Sequence, residues 1–183
     1  MRPLVSVIAA VRNPDEVAHA EEVVSSQTYP NLELVTPDLG RDFDALWDDG
    51  STGAPAFHVG TYMAHGDYFA YLLPQDRYSS SHIDKMVTLL EQTKAHFAYS
   101  QMKTPDGVIG GDPPRSGEVG ASCIVHRANL ILGENWRDGG PDFVWDLITR
   151  WVGSGWRDEK GVMHNAQWAF LNLPTVERSA DAA

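Results

Sequence analysis

Two charged residues, Asp76 and Arg77, follow an apolar segment near the middle of the chain. That segment, Tyr68–Leu72, is apolar or aromatic at every position and lies between Gly66 and Pro74. A segment that is apolar on both alternating faces predicts a buried strand in an α/β sheet, and proline ends such a strand because it has no backbone N–H. Ligands of open α/β sheets bind beyond the carboxyl ends of the strands. The sequence therefore places these two charges at a candidate binding edge. The alternative is an ordinary turn with a solvated aspartate.

A second group of charged residues lies on a predicted helix in the last third of the chain. Asp142, Asp146 and Arg150 recur every four residues, so they share one face of a helix that Pro141 begins. A carboxylate at the entry to this helix is placed to accept a proton from a hydroxyl group. The alternative is a surface ion pair between Asp146 and Arg150. The opposite face is apolar and predicts a core contact, with Val144, Leu147, Ile148 and Trp151.

The elements that must position these side chains begin with a strand–helix–strand unit. Leu4–Val11 is rich in β-branched residues, and Asn13 is a suitable N-cap for the helix that follows it. Leu32–Thr36 is the second strand, and Asp38 follows it. Such a unit predicts a parallel sheet with a right-handed crossover. Asn13 and Asp38 therefore belong to the same strand-end crevice as Asp76.

The rest of the chain continues the alternation of strands and helices. A short helix is predicted over Asp42–Asp49, a longer one over His82–Lys94, and a strand over Ala95–Ser100. The Gly- and Pro-rich stretch Thr104–Gly117 is predicted to be a long mobile loop. We expect one α/β domain over residues 1–176, with a mostly parallel central sheet of Rossmann type and helices on both faces. Residues 177–183 are expected to form a frayed tail.

Composition and charge exclude several classes of protein. The chain has 183 residues, of which 43% are hydrophobic, as in a globular domain. Its formal net charge of −11 argues against a nucleic-acid partner, which would need a basic face. A single cysteine, Cys123, excludes an internal disulfide and a zinc cluster built on cysteines. The sequence has no apolar run of membrane-spanning length and no signal-peptide core, so a cytoplasmic location is expected.

Five segments, taken in order, resemble family 2 of the nucleotide-sugar glycosyltransferases, which has the GT-A fold. Residues 6–13 (SVIAAVRN) are similar to the family's first strand, and residues 26–35 (SQTYPNLELV) to its first helix end and second strand. Residues 64–72 (AHGDYFAYL) are similar to the strand before the family's Asp-x-Asp motif. Later segments that match are residues 120–127 (GASCIVHR) and 145–150 (WDLITR). The order and spacing of these segments, over residues 4 to about 165, carry the resemblance.

The resemblance implies that the chain transfers a sugar, with inversion, from a nucleotide-diphospho-sugar to an acceptor hydroxyl. Its metal and catalytic motifs are degenerate, however. The family's Asp-x-Asp falls on Leu73–Gln75, and only the following acid is kept, as Asp76. Phe57 and His58 stand at the family's Arg and Asn. The alternative is therefore a catalytically inactive domain of this fold that binds a nucleotide or glycan, or serves in an assembly.

The resemblance also implies roles for particular residues. We expect Asn13, Asp38, His58 and Arg77 to contact the nucleotide, and Asp142, or else Asp146, to act as the base. Asp76 and His164 are the expected ligands of a divalent metal, Mn²⁺ or Mg²⁺. The alternatives are a helix cap at Asn13, turn residues at Asp38 and Asp76, a solvated Arg77 and a structural His164.

A metal held by one carboxylate depends on water and on the substrate's phosphates, so it should be weakly held until a nucleoside diphosphate is present. Arg77 offers another route, a fixed cation in place of the metal. Trp136 is the tryptophan we expect in the pocket, whereas Trp151 is expected in the core. The expected partners are a nucleotide-sugar donor and an acceptor that no motif identifies, and the sequence leaves the oligomeric state open.

Overall fold

The computed structural model describes residues 2–37, 53–132, 134–137, 140–153, 156–157 and 163–179. Its helices are α1 (Pro14–Ser25), α2 (Ala54–Met63), α3 (His82–Thr93) and α4 (Phe143–Gly153). Its strands are β1 (Val5–Ala9), β2 (Leu32–Val35), β3 (Tyr68–Leu72), β4 (Asp76–Tyr78), β5 (Phe97–Thr104), β6 (Gly107–Ile109), β7 (Ile124–Arg127), β8 (Trp156–Arg157), β9 (Met163–His164) and β10 (Trp168–Arg178). The expected helix Asp42–Asp49 lies outside the described residues, as does Asp38.

A mixed sheet forms the centre of the molecule, with the strand order β2-β1-β3-β7-β5-β10-β4 and β6 paired to β5. β1 pairs in parallel with both β2 and β3, and β5 pairs in parallel with β10. β7 enters antiparallel between β3 and β5, and β4 and β6 are antiparallel to their neighbours. The expectation of a mostly parallel sheet is therefore correct only in part. The strands β2, β1, β3, β5 and β10 nevertheless run in one direction, so their carboxyl ends share one edge.

Helices cover both faces of this sheet, as expected. Alternate residues of β3 face opposite sides, because successive side chains of a strand point to opposite faces. Tyr68, Ala70 and Leu72 pack in the core under α1 and α3, whereas Phe69 and Tyr71 pack in the core under α2 and α4. Every residue of β1 and of β3 is buried. This burial confirms the prediction of a central strand over Tyr68–Leu72.

The cap and the apolar helix faces are also as predicted. The Asn13 side chain accepts a hydrogen bond from the backbone N–H of Glu16 at 3.0 Å and caps α1. The apolar face of α4 is buried in the core, including Trp151. None of the helices in the described part of the chain combines the length and apolarity that a bilayer crossing requires.

Two segments differ from the sequence expectation. The stretch expected to be a loop contains β6, which forms a hairpin with β5. The turn of this hairpin places Gly107 at a φ of 135°, a conformation that side chains rarely adopt. No strand is predicted near the C-terminus, yet β10 pairs with both β5 and β4 and ends at Arg178. The sheet thus continues two residues past the expected boundary at 176.

Candidate functional site

The carboxyl ends of the parallel strands form the edge where the sequence places the site. β1 and β3 end side by side, and the Ala10 N–H donates to the Leu72 carbonyl oxygen at 3.0 Å. The chain then turns between Leu73 and Asp76, where the Asp76 N–H donates to the Leu73 carbonyl oxygen at 3.0 Å. β4 starts at Asp76 and pairs with the last residues of β10, with Asp76 opposite Arg178. The end of β10 therefore lies beside the end of β3.

Asp76 is 0% exposed and its carboxylate is held by two residues from other parts of the chain. The Nε–H of Arg178 donates to its Oδ1 at 2.8 Å, and an Nη2–H donates to its Oδ2 at 3.0 Å. The hydroxyl of Ser122 donates to Oδ2 at 2.7 Å and accepts from the Leu73 N–H at 3.1 Å. A buried charge is tolerated only when it is paired and hydrogen-bonded, and both oxygens of this carboxylate have partners.

This arrangement does not fit a metal ion at Asp76. The carboxylate would have to give up its bonds to Arg178 and leave the interior before it could bind a cation. Within the described residues, no group of three or more His, Cys, Asp or Glu side chains is arranged to hold a metal. The other expected ligand, His164, lies in β9 opposite Trp156, and its side chain is outside the described part of the structure.

Arg77 points to the opposite side of the short strand and is half-exposed. Its Nη1–H donates to Glu22 Oε1 on α1 at 2.8 Å. Hydrogen bonding to this guanidinium, followed by charge attraction, lowers the pKa of the Glu22 carboxyl. The neighbouring His19 donates from Nε2 to the Asp76 carbonyl oxygen at 3.0 Å, so α1 also holds the backbone of β4.

His58 lies on α2 and is fixed by the segment before α4. Its Nδ1–H donates to the Trp136 carbonyl oxygen at 2.9 Å, and its ring contacts that of Tyr62. Trp136 itself is only 1% exposed. Its ring packs against Phe57 and Tyr71, with centroids 5.2 and 4.7 Å away. The expectation of Trp136 in the pocket is therefore wrong, because its ring fills the core between α2 and the sheet.

The two acids of the α4 region have different surroundings. Asp142 is exposed and accepts one long hydrogen bond, from the Ser116 hydroxyl at 3.3 Å. Asp146 is paired with Arg150 at 2.8 Å, as in the alternative that the sequence left open. Arg150 also contacts Glu134 at 2.7 Å and is largely buried. Of the two, Asp142 has the carboxylate that is more free to accept a proton.

The residues that sequence reasoning missed are Arg178 and Ser122. Arg178 falls in the segment expected to be frayed, and Ser122 in a strand-like segment that resembles the family without any assigned role. The contact of Arg178 with Asp76 spans 102 positions of sequence, so no local pattern signals it.

A cleft of about 620 Å³ lies at the opposite edge of the sheet, beside the amino end of β3. Its lining includes Asp67, Tyr68, Glu91 and Arg127. Arg127 donates to the Leu90 and Ala95 carbonyl oxygens at 3.1 Å and to the Tyr68 hydroxyl at 2.8 Å. These bonds tie the end of α3 to β7, so this arginine has a structural role.

No family model and no curated protein sequence matches the chain. Solved structures do match. TarS residues 1–349 from S. aureus, in complex with UDP-GlcNAc, matches 98% of this chain and 59% of that chain, with a TM-score of 0.69 and 12% identity. The same protein with UDP matches 95% and 60%, with a TM-score of 0.65 and 11% identity.

A third structure is the mannosyltransferase PcManGT from Pyrobaculum calidifontis, in complex with GDP-Man and Mn²⁺. It matches 97% of this chain and 56% of that chain, with a TM-score of 0.56 and 12% identity. The chain thus spans less than two thirds of the length of these structures. At such low identity the similarity concerns the fold. The chain has the fold of these nucleotide-sugar-binding proteins, a mannosyltransferase among them.

Proposed function

We propose that the chain is a glycosyltransferase domain that binds a nucleotide-diphospho-sugar at the carboxyl edge of β1, β2 and β3. The observation that carries this proposal is the match of 98% of the chain to a structure that contains UDP-GlcNAc. The topology supports the same edge, because two parallel strands flank β1 and ligands of α/β sheets bind beyond such strand ends.

We propose that Asn13, Asp38 and His58 contact the nucleotide. Asn13 directly follows the end of β1 and begins α1. His58 lies two residues before Gly60, at which α2 packs against Ile8 of β1 and Pro37 after β2. Its position on α2 thus puts it near the ends of both strands. Arg77 is a further candidate, as a half-exposed cation next to the same turn.

We propose that Asp142 is the base that takes the proton of the acceptor hydroxyl, with Asp146 as the second candidate. Asp142 is exposed and makes one long hydrogen bond, whereas both Arg150 contacts of Asp146 would have to break first. The reaction proposed is an inverting transfer, in which the deprotonated hydroxyl attacks the anomeric carbon and the nucleoside diphosphate leaves. No step is assigned to a metal at Asp76.

The test is binding and turnover of UDP-GlcNAc and GDP-Man, measured by calorimetry and by the release of UDP or GDP. We expect one of the two to bind and to release nucleotide slowly, and Asp142→Asn to lower kcat by about 100-fold or more with little change in KM. Asp106→Asn is the matched control, because Asp106 is an exposed aspartate in the turn between β5 and β6. Failure of both nucleotide sugars to bind would contradict the proposal.

The second candidate function is a domain that binds a nucleotide sugar without transferring it. The observation that favours it is the ion pair of Asp76, the one acid kept from the family's metal motif, which is turned inward to Arg178. This function predicts the same binding, with no release of nucleotide by the wild type and none by Asp142→Asn.

A further inference from the structure

Arg178 lies at the edge of the sheet where the proposed nucleotide site is located. β10 runs parallel to β5 and hence in the same direction as β3, and Arg178 is its last residue. Its partner in the sheet, Asp76, follows the turn that leaves β3. The guanidinium therefore stands beside the carboxyl end of the central strand, next to the turn of Leu73–Asp76.

The guanidinium has donors to spare after it has bound Asp76. An arginine carries five N–H groups, of which Asp76 takes one from Nε and one from Nη2. The others, on Nη1 and Nη2, have no acceptor among the described residues. The Arg178 side chain is 32% exposed whereas the carboxylate behind it is fully buried. The end of the guanidinium thus faces away from its partner with unused donors.

Arg178 is also held more firmly than two other described cations near this edge. Arg12 and Arg77 are about half exposed and pair with acids on α1, Glu16 and Glu22. Such surface pairs are weak, and ordering their side chains costs entropy when a ligand binds. Arg178 is fixed by a bidentate contact to a buried carboxylate. Its side chain is therefore already ordered in the folded protein and loses little entropy when a ligand binds.

We infer that Arg178 binds the diphosphate of the nucleotide, as a cation built into the strand-end edge of the sheet. This inference rests on the proposed nucleotide-sugar site. Asp76 then has a positioning role: it orients the guanidinium and does not contact the ligand. A guanidinium suits this task because it stays charged and matches two phosphate oxygens with parallel N–H donors.

The two possible roles of Asp76 predict opposite results for one substitution. If Asp76 held a metal, Asp76→Asn would weaken nucleotide binding and remove any Mn²⁺ dependence. If Asp76 only positions Arg178, Asp76→Asn leaves the cation in place and removes a negative charge behind it. The side-chain carbonyl oxygen of the asparagine can still accept a hydrogen bond from the guanidinium, so binding should persist in EDTA, within a few-fold of the wild-type affinity.

The experiment is calorimetric titration of the full chain with UDP and with GDP, in EDTA and in Mn²⁺. The variants are Asp76→Asn, Asp76→Asn/Arg178→Gln and, as the control, Arg2→Gln. Arg2 precedes β1 at the opposite edge of the sheet, is about half exposed and pairs with Asp84. The double variant places two neutral amides at the buried contact, so that no unpaired charge remains to unfold the chain. Thermal unfolding checks that each variant is folded.

We expect wild-type binding to be the same in EDTA and in Mn²⁺, and the double variant to bind at least about tenfold more weakly than Asp76→Asn, the scale of a lost charge-assisted hydrogen bond. Arg2→Gln should bind like the wild type. Equal affinities of the double variant and Asp76→Asn would overturn the inference and leave the proposed function intact. Binding that requires Mn²⁺ and is lost in Asp76→Asn would also overturn it. A wild type that binds neither nucleotide under either condition would overturn the proposed function itself.

Discussion

Asp76 follows the central strand β3, at a position where the sequence predicted a metal ligand. Its carboxylate is buried in the protein. The reason is the pair of donors that the fold brings there, Arg178 from β10 and the hydroxyl of Ser122. Both oxygens of the carboxylate are hydrogen-bonded, so its charge is compensated. These bonds join three separate parts of the chain, at Asp76, Ser122 and Arg178.

Two buried histidines give the protein a stability that depends on pH. Burial lowers the pKa of His82 to about 3 and that of His126 to about 4. Both are neutral in the folded protein. His126 accepts from the Tyr71 hydroxyl at 2.6 Å, and His82 contacts the Thr175 hydroxyl at 2.7 Å. In the unfolded chain each would take up a proton near pH 6.5.

We predict that the free energy of unfolding falls by about 2 kcal/mol per histidine between pH 7 and pH 5. The sign follows from the lowered pKa values. Below pH 6.5 the histidines of the unfolded chain are protonated, whereas those of the folded protein stay neutral. Because the unfolded state then binds more protons, acid favours unfolding. The decrease continues until the pH reaches the folded pKa values. Urea unfolding at the two pH values measures it.

The matched variant for this pH dependence is His126→Gln, whose side-chain carbonyl can accept the Tyr71 hydroxyl. It should remove about half of the pH-dependent loss. A loss of stability that is the same in this variant as in the wild type would show that His126 does not contribute.

At the scale of elements, α2 packs closely against the sheet at Gly60. A Cβ atom at Gly60 would overlap the Cγ2 methyl of Ile8 and would lie 3.1 Å from Pro37 Cγ. This glycine therefore lets α2 approach the ends of β1 and β2, which puts His58 near the proposed site. Glycine is needed at this position because any side chain would separate α2 from the sheet.

We predict that Gly60→Ala lowers the free energy of unfolding by about 1–3 kcal/mol, because the added methyl overpacks this contact. Gly153→Ala is the control, since nothing lies within 4 Å of a Cβ built at that last residue of α4. It should be neutral or raise stability by up to about 1 kcal/mol through helix propensity. Chemical denaturation of both variants measures the difference, and equal effects would contradict the packing argument.

The elements that the sequence predicted are those with a complete local pattern. Asn13 before Pro14 specifies the start of α1. The segment Tyr68–Leu72, which is apolar on both faces, specifies a central strand. The sequence did not predict β10, because Pro174 interrupts the strand pattern and the register of the pairing shifts on both sides of that residue.

The site was less predictable than the fold. The partner of Asp76 is 102 positions away, and the core position of Trp136 depends on rings from α2 and β3. Such contacts arise from the tertiary fold, which no spacing rule encodes.

At the scale of the whole molecule, the last residues of β10 connect the sheet to β4, because Val176, Glu177 and Arg178 pair with that strand. A chain that ends after Val176 would lack Arg178 and leave the buried Asp76 without its cation. We predict that this truncation costs about 3–5 kcal/mol of stability, the usual effect of removing one partner of a buried ion pair. Thermal and urea unfolding of the purified chain measure it.

The control for this truncation is a chain that ends after Ser179, which keeps the Arg178–Asp76 pair and the bond of the Ser179 N–H to the Gln75 carbonyl oxygen at 3.1 Å. We expect it to match the full chain. If both truncations were equally stable, the ion pair would contribute nothing to folding.

The position of β10 also bears on how the protein is made. β10 sits inside the sheet between β5 and β4, yet it follows both of them in the chain. During synthesis on the ribosome, the unit of β1, α1 and β2 emerges before β5 and can pair at once, whereas β5 keeps an open edge until about 70 further residues have been added. An unpaired strand edge invites pairing with other chains. The nascent protein is thus exposed to aggregation in the interval before β10 leaves the exit tunnel.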